Sequence, residues 1–80
     1  EGETLEYKHL TPDRKHFIIT EVMKIIYNLM GDNIVHGDIN TSNIIVNKDM
    51  VYLIDFEMGR EAINDYTDIQ MLYNRVITQI

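Results

Sequence analysis

Apolar side chains at Ile18, Ile19, Val22, Met23, Ile25, Ile26, Leu29 and Met30 form a wide stripe with the three-to-four-residue recurrence of one helix face. Just upstream, Thr11-Pro12-Asp13 supplies a hydroxyl that can cap, a proline suited to the first helical position and an acid for the first turn. The pattern predicts a long helix over 12–30, with Gly31 as its left-handed stop. From Ile34 to Asn43 the periodicity breaks down into Gly37 and short polar side chains, which read as a loop. Two aliphatic runs follow, Ile44-Ile45-Val46 and Val51-Tyr52-Leu53-Ile54, separated by Asn47-Lys48-Asp49, and together they predict a β-hairpin. After Asp55-Phe56-Glu57 and a short link, Thr67-Asp68-Ile69-Gln70 matches a capping box. It opens a second helix within 65–80, with Ile69, Leu72, Tyr73, Val76 and Ile80 on one face.

These elements define an α+β class, mainly helical, with one hairpin. Eighty residues fall short of the ~100–200 usual for a domain. With Glu1 first and Ile80 in mid-pattern, the chain is expected to be a single fragment of something longer. Hydrophobic content of 45% with 25% charged residues marks a folded chain, not a disordered tail. The rings of Tyr7, Tyr27 and Tyr52 are expected in its core. The absence of cysteine excludes a disulfide framework and a thiolate zinc site. A net charge of −6 with scattered basic residues offers no footprint for direct nucleic-acid binding. The longest apolar runs are far below the ~20 residues that span a bilayer.

Chemistry concentrates at the edges of the hairpin. Asp38 and Asn43 precede its first strand and Asp55 follows its second, so the hairpin is expected to bring them together. Taken singly, such residues most often satisfy turn backbone. Taken together, an Asp and an Asn supply the oxygen ligands Mg²⁺ accepts, since it leaves its remaining positions to water and phosphates. A third acid nearby can then orient a hydroxyl nucleophile.

The order His36-Gly37-Asp38, four residues, Asn43, strand, turn, strand, Asp55-Phe56 resembles the catalytic core of the protein-kinase-like superfamily, whose loop reads H-x-D-x-x-x-x-N and whose metal aspartate opens a D-F-G motif. The strings here are HGDINTSN and DFE. The resemblance implies a partial kinase-like C-lobe, with 1–11 as a hinge-side segment, the 12–30 helix supporting the loop, 34–60 as loop, hairpin and metal motif, and 65–80 as the last helix. It implies Asp38 as catalytic base, Asn43 and Asp55 as holders of Mg²⁺ and ATP, and His36 and Asp68 as structural supports of the loop. Thr41-Ser42-Asn43 and the stretch Asp65-Tyr66-Thr67-Asp68-Ile69-Gln70-Met71-Leu72 look like the small PRPK-type kinase of the KEOPS complex. That likeness implies an atypical Ser/Thr kinase or ATPase whose partner is the complex's metal-dependent sugar-kinase-like subunit. It would support threonylcarbamoyladenosine modification of tRNA, in the cytoplasm or nucleus, by ATP hydrolysis more than by signalling.

The departures bear on the chemistry. Gly37 stands where many protein kinases have Arg, and Asn40 where they have a Lys that neutralises the transferring phosphate. Glu57 replaces the motif glycine, adding charge beside the metal that either weakens Mg-ATP binding or supplies a further ligand. A Gly-rich loop and an ATP-pairing Lys are not found among these residues, so catalysis by this chain alone is not expected. Two other readings stand beside this one. HGD is shared by aminoglycoside and choline phosphotransferases, and a kinase-like lobe can also serve as a non-catalytic binding module.

Overall fold

The computed structural model describes residues 2–7 and 9–80; Glu1, assigned above to the hinge side, and the side chain of Tyr7 lie outside the described residues. The first helix, α1 (Pro12–Gly31), starts as the sequence predicts: the Thr11 hydroxyl accepts the Arg14 N–H at 3.2 Å and Pro12 needs no partner there. Its end differs. Gly31 is the last helical residue and not a left-handed stop; Asp32 caps the helix with its N–H on the Leu29 carbonyl at 3.0 Å, and Asn33 takes the positive φ of 57°. Asparagine is among the few residues with a side chain that tolerate that conformation.

Strand β1 (Glu3–Thr4) lies beside β3 (Ile44–Asn47), which pairs with β4 (Met50–Leu53), giving an antiparallel order β1-β3-β4. Met50 pairs with Asn47, so the expected three-residue turn tightens to Lys48-Asp49, with Lys48 at φ 53°. A second sheet joins β2 (Ile34–Val35) to β5 (Arg60–Glu61). Both strands lie in stretches read above as loop and link, because two residues are too few to show a period.

The last helical region is not one α-helix. Helix α2 covers Thr67–Leu72 and runs into a π-helical turn over Tyr73–Ile77. The expected capping box does not form, because Thr67 is the first helical residue and its N–H bonds to Asp65 Oδ1 at 2.8 Å. Leu72 and Val76 are buried, while Tyr73, one position round from them, is exposed.

Ile18, Val22 and Ile26, spaced by one turn along α1, meet Ile44 and Val46 of β3, Leu72 and Val76, with Leu5 and Ile39 closing the core. Tyr27 and Tyr52 are 54% and 44% exposed, against expectation. Tyr27 sits one step off the buried line of α1, and Tyr52 pairs with Ile45 on the sheet face opposite the one that carries Ile44 and Val46. No helix among the described residues is long and apolar enough to cross a membrane.

Candidate functional site

The loop between β2 and β3 is held from three sides. Asp68, buried in the first turn of α2, accepts the N–H of His36 at 2.7 Å and that of Gly37 at 2.9 Å. One carboxylate thus fixes two consecutive peptide groups, and charge-assisted bonds of this kind are the stronger sort. His36 is fully buried; Nε2 bonds to the Ile54 carbonyl at 2.7 Å and Nδ1 accepts the Asp38 N–H at 3.1 Å. Those partners fix the tautomer with hydrogen on Nε2. Both ring nitrogens are therefore engaged with backbone, and Phe56 closes edge-on at 4.5 Å.

Asp38 is the hub. Asn43, buried, donates from Nδ2 to the Asp38 carbonyl at 2.8 Å and to Oδ2 at 3.1 Å. Asn40 donates from Nδ2 to Oδ1 at 3.1 Å, while its own oxygen accepts the Ser42 N–H at 2.9 Å. Arg75, from the π-helical turn, reaches Oδ1 with NH1 at 3.0 Å. Two amides and one guanidinium thus orient a carboxylate that remains about one-third exposed (35%). Sequence reasoning missed Arg75, for its contact with Asp38 spans 37 positions and no local motif announces it. The faint signal is its place seven residues after Asp68, roughly two turns along the same helical region.

Asp55 stands at the same end of the hairpin as Asn43. The Ile54 N–H bonds to the Asn43 carbonyl at 2.9 Å, which leaves Asp55 as the next residue, exposed and left-handed at φ 62°. Phe56-Glu57-Met58 then form a short 3-10 turn that leaves Glu57 exposed. Gly37 lies under this turn at φ +89°, where an added Cβ would meet the Met58 carbonyl oxygen at 2.6 Å. The glycine at this position is therefore a packing requirement. A cavity of about 340 Å³ lined by Leu5, His9, Lys15, Thr41, Gln79 and Ile80 touches the loop only at Thr41 and leaves the Asp38 carboxylate outside.

Asn43 and Asp55 could offer oxygen atoms to a cation. Asn43 commits its amide nitrogen to Asp38, so its oxygen is the atom it can offer, and Asp55 adds a carboxylate. No group of three or more His, Cys, Asp or Glu side chains able to hold a metal occurs among the described residues. One amide oxygen and one carboxylate are a sparse oxygen pair, the number of protein ligands Mg²⁺ takes when phosphates complete its coordination.

Comparison with known proteins places the chain among kinase-like sequences. A family model described as RIO domain matches residues 2–75. Mitogen-activated protein kinase 12 of Homo sapiens is 27% identical over 67 residues, and that of Mus musculus 25% over 67. Mitogen-activated protein kinase p38a of Drosophila melanogaster is 27% identical over 64. These matches cover 82%, 82% and 79% of this chain, which spans 18% of the length of each relative.

Proposed function

This chain belongs to the RIO domain family, and from that premise we propose that the full-length protein uses ATP and Mg²⁺ to transfer or hydrolyse the terminal phosphoryl group. The observation that carries this reading is the Asp38 carboxylate, oriented by Asn40, Asn43 and Arg75 beside a hairpin end that carries Asp55. Asp38 accepts the proton of an attacking hydroxyl or water as its oxygen bonds to the γ-phosphorus and the bond to ADP breaks. Asn43 and Asp55 would hold Mg²⁺, which when bound neutralises phosphate charge. His36 and Asp68 hydrogen-bond only to backbone groups, holding the loop in shape. Tyr52 and Ile54 at the end of the hairpin, and Phe56 in the turn after it, are exposed apolar groups of the kind that lines one side of a purine.

The finer reading is an atypical Ser/Thr kinase or ATPase of the PRPK type. Its partner would be the metal-dependent sugar-kinase-like subunit of KEOPS, in support of tRNA threonylcarbamoyladenosine modification in the cytoplasm or nucleus. The strings Thr41-Ser42-Asn43 and Asp65 to Leu72 support it. ATP turnover by the full-length protein, with and without that subunit, is the test. Asp55→Asn is expected to lower turnover by about 100-fold or more with the melting temperature kept. Asparagine preserves shape and tolerates the left-handed backbone of position 55, which alanine strains. Undiminished turnover in this variant would sink the metal assignment.

A further inference from the structure

Phosphoryl transfer spreads negative charge over three equatorial oxygens, and positive charge aimed at them stabilises the transition state. The loop between Asp38 and Asn43 carries Ile39, Asn40, Thr41 and Ser42, none of them cationic. Asn40, the polar residue nearest the carboxylate, uses its amide to hold Asp38 and adds no charge. Any cation the site needs from this chain must come from elsewhere in the fold. Arg14 pairs with Asp49, Lys24 with Glu21 and Arg60 with Asp65, none of them a residue of the loop, and Lys15 lines the cavity beside Thr41 that leaves the Asp38 carboxylate outside. Among the described residues Arg75 is the one basic side chain paired with it, 3.0 Å from Asp38 Oδ1.

We infer that Arg75 is the phosphate-facing cation of this site, delivered by the last helical region and not by the loop itself. This rests on the phosphotransfer reading above. The guanidinium has five N–H donors in a rigid fork that matches phosphate oxygens. The contact with Asp38 occupies NH1, and the side chain remains 47% exposed, so donors are left for a second anion beside the base. Its mounting fits the role. Asp68 grips His36 and Gly37 while Arg75 grips Asp38, so one helical region fixes three consecutive loop residues. Arg75 projects from the π-helical turn Tyr73–Ile77, a distortion that is rare in helices and frequent at functional sites. The buried Leu72 and Val76 on either side anchor that turn in the core.

The test is MgATP turnover by the full-length protein carrying Arg75→Gln, which keeps hydrogen-bonding capacity toward Asp38 and removes the charge. Loss of about 100-fold in kcat, with KM for MgATP and the melting temperature little changed, is the expected result. Adding Asn40→Lys, which restores a cation from inside the loop, should recover about tenfold of that loss. Arg75→Lys, retaining charge without the fork, should fall between the two. If Arg75 only braces Asp38, Arg75→Gln will keep wild-type kcat, or its loss will not respond to Asn40→Lys, and either result overturns the inference while leaving phosphotransfer standing. Absence of MgATP turnover in the unaltered protein, with or without its partner, would instead remove the phosphotransfer reading and the inference with it.

Discussion

Gly37 shows how one residue couples the two halves of the site. Its φ of +89° and the 2.6 Å approach to the Met58 carbonyl that any Cβ would make are independent reasons for glycine. Gly37→Ala is accordingly expected to destabilise the full-length protein by about 1–3 kcal/mol, read from urea unfolding. The cost should come with displacement of the Phe56–Met58 turn, the nearest thing able to move, so a spectroscopic probe at Phe56 should shift as well. An alanine variant with unchanged stability would show that the turn does not rest on this residue. The same scale sets what a sequence can disclose. Asp38, Asn40 and Asn43 lie within six positions and meet through bonds a turn makes locally, so their convergence is legible in a short string. Arg75 meets them across 37 positions, and a lone arginine on a helix carries no mark of what it will touch.

At the scale of elements, the link from β5 to α2 is a charged clasp. Asp65 accepts hydrogen bonds from Thr67 and pairs with Arg60 at 3.0 Å, and these bonds, Thr67 first, hold its pKa down at about 2. A carboxylate with a depressed folded pKa stabilises the fold above its unfolded value, ~3.9 for Asp, and loses that contribution as pH falls toward the folded one. The melting temperature of Asp65→Asn should therefore lie below wild type at pH 6, and the gap should close between about pH 4 and pH 2. A gap unchanged by pH would mean the clasp is not electrostatic. This clasp also explains why the end of the chain was harder to read than its middle. α1 carries its cap, its proline and five turns of period in one stretch, and it formed where those signals stand. α2 starts after Asp65 has already taken the first N–H, and it widens after Leu72, so a capping string and a single helical face described it less well. The two-residue strands β2 and β5 exist through their mutual pairing and the Ala62 N–H on the Asn33 carbonyl at 2.8 Å, which leaves no periodic trace.

For the whole molecule, the decisive property is that the donors at the hairpin end are sparse while the chain around them is acidic, at net charge −6. One amide oxygen and one carboxylate hold a divalent cation weakly unless phosphates complete its coordination, and nucleotide phosphates alone meet a repulsive field. Each ligand should therefore need the other. In the full-length protein, Mg²⁺ alone and ATP with a chelator are each expected to move the melting temperature little, whereas the two together should raise it by several degrees. A ligand at about 100 times its Kd adds roughly 2.7 kcal/mol to a fold that alone binds it. Asp55→Asn should abolish the joint shift. Arg75→Gln should reduce it only slightly, since that residue faces charge that develops in the reaction more than charge present in the bound nucleotide. A full shift from Mg²⁺ alone would contradict the sparse site, pointing to further ligands such as Glu57. A full shift from ATP alone would show that the nucleotide is held by apolar and basic contacts and that Asn43 and Asp55 serve something other than a metal.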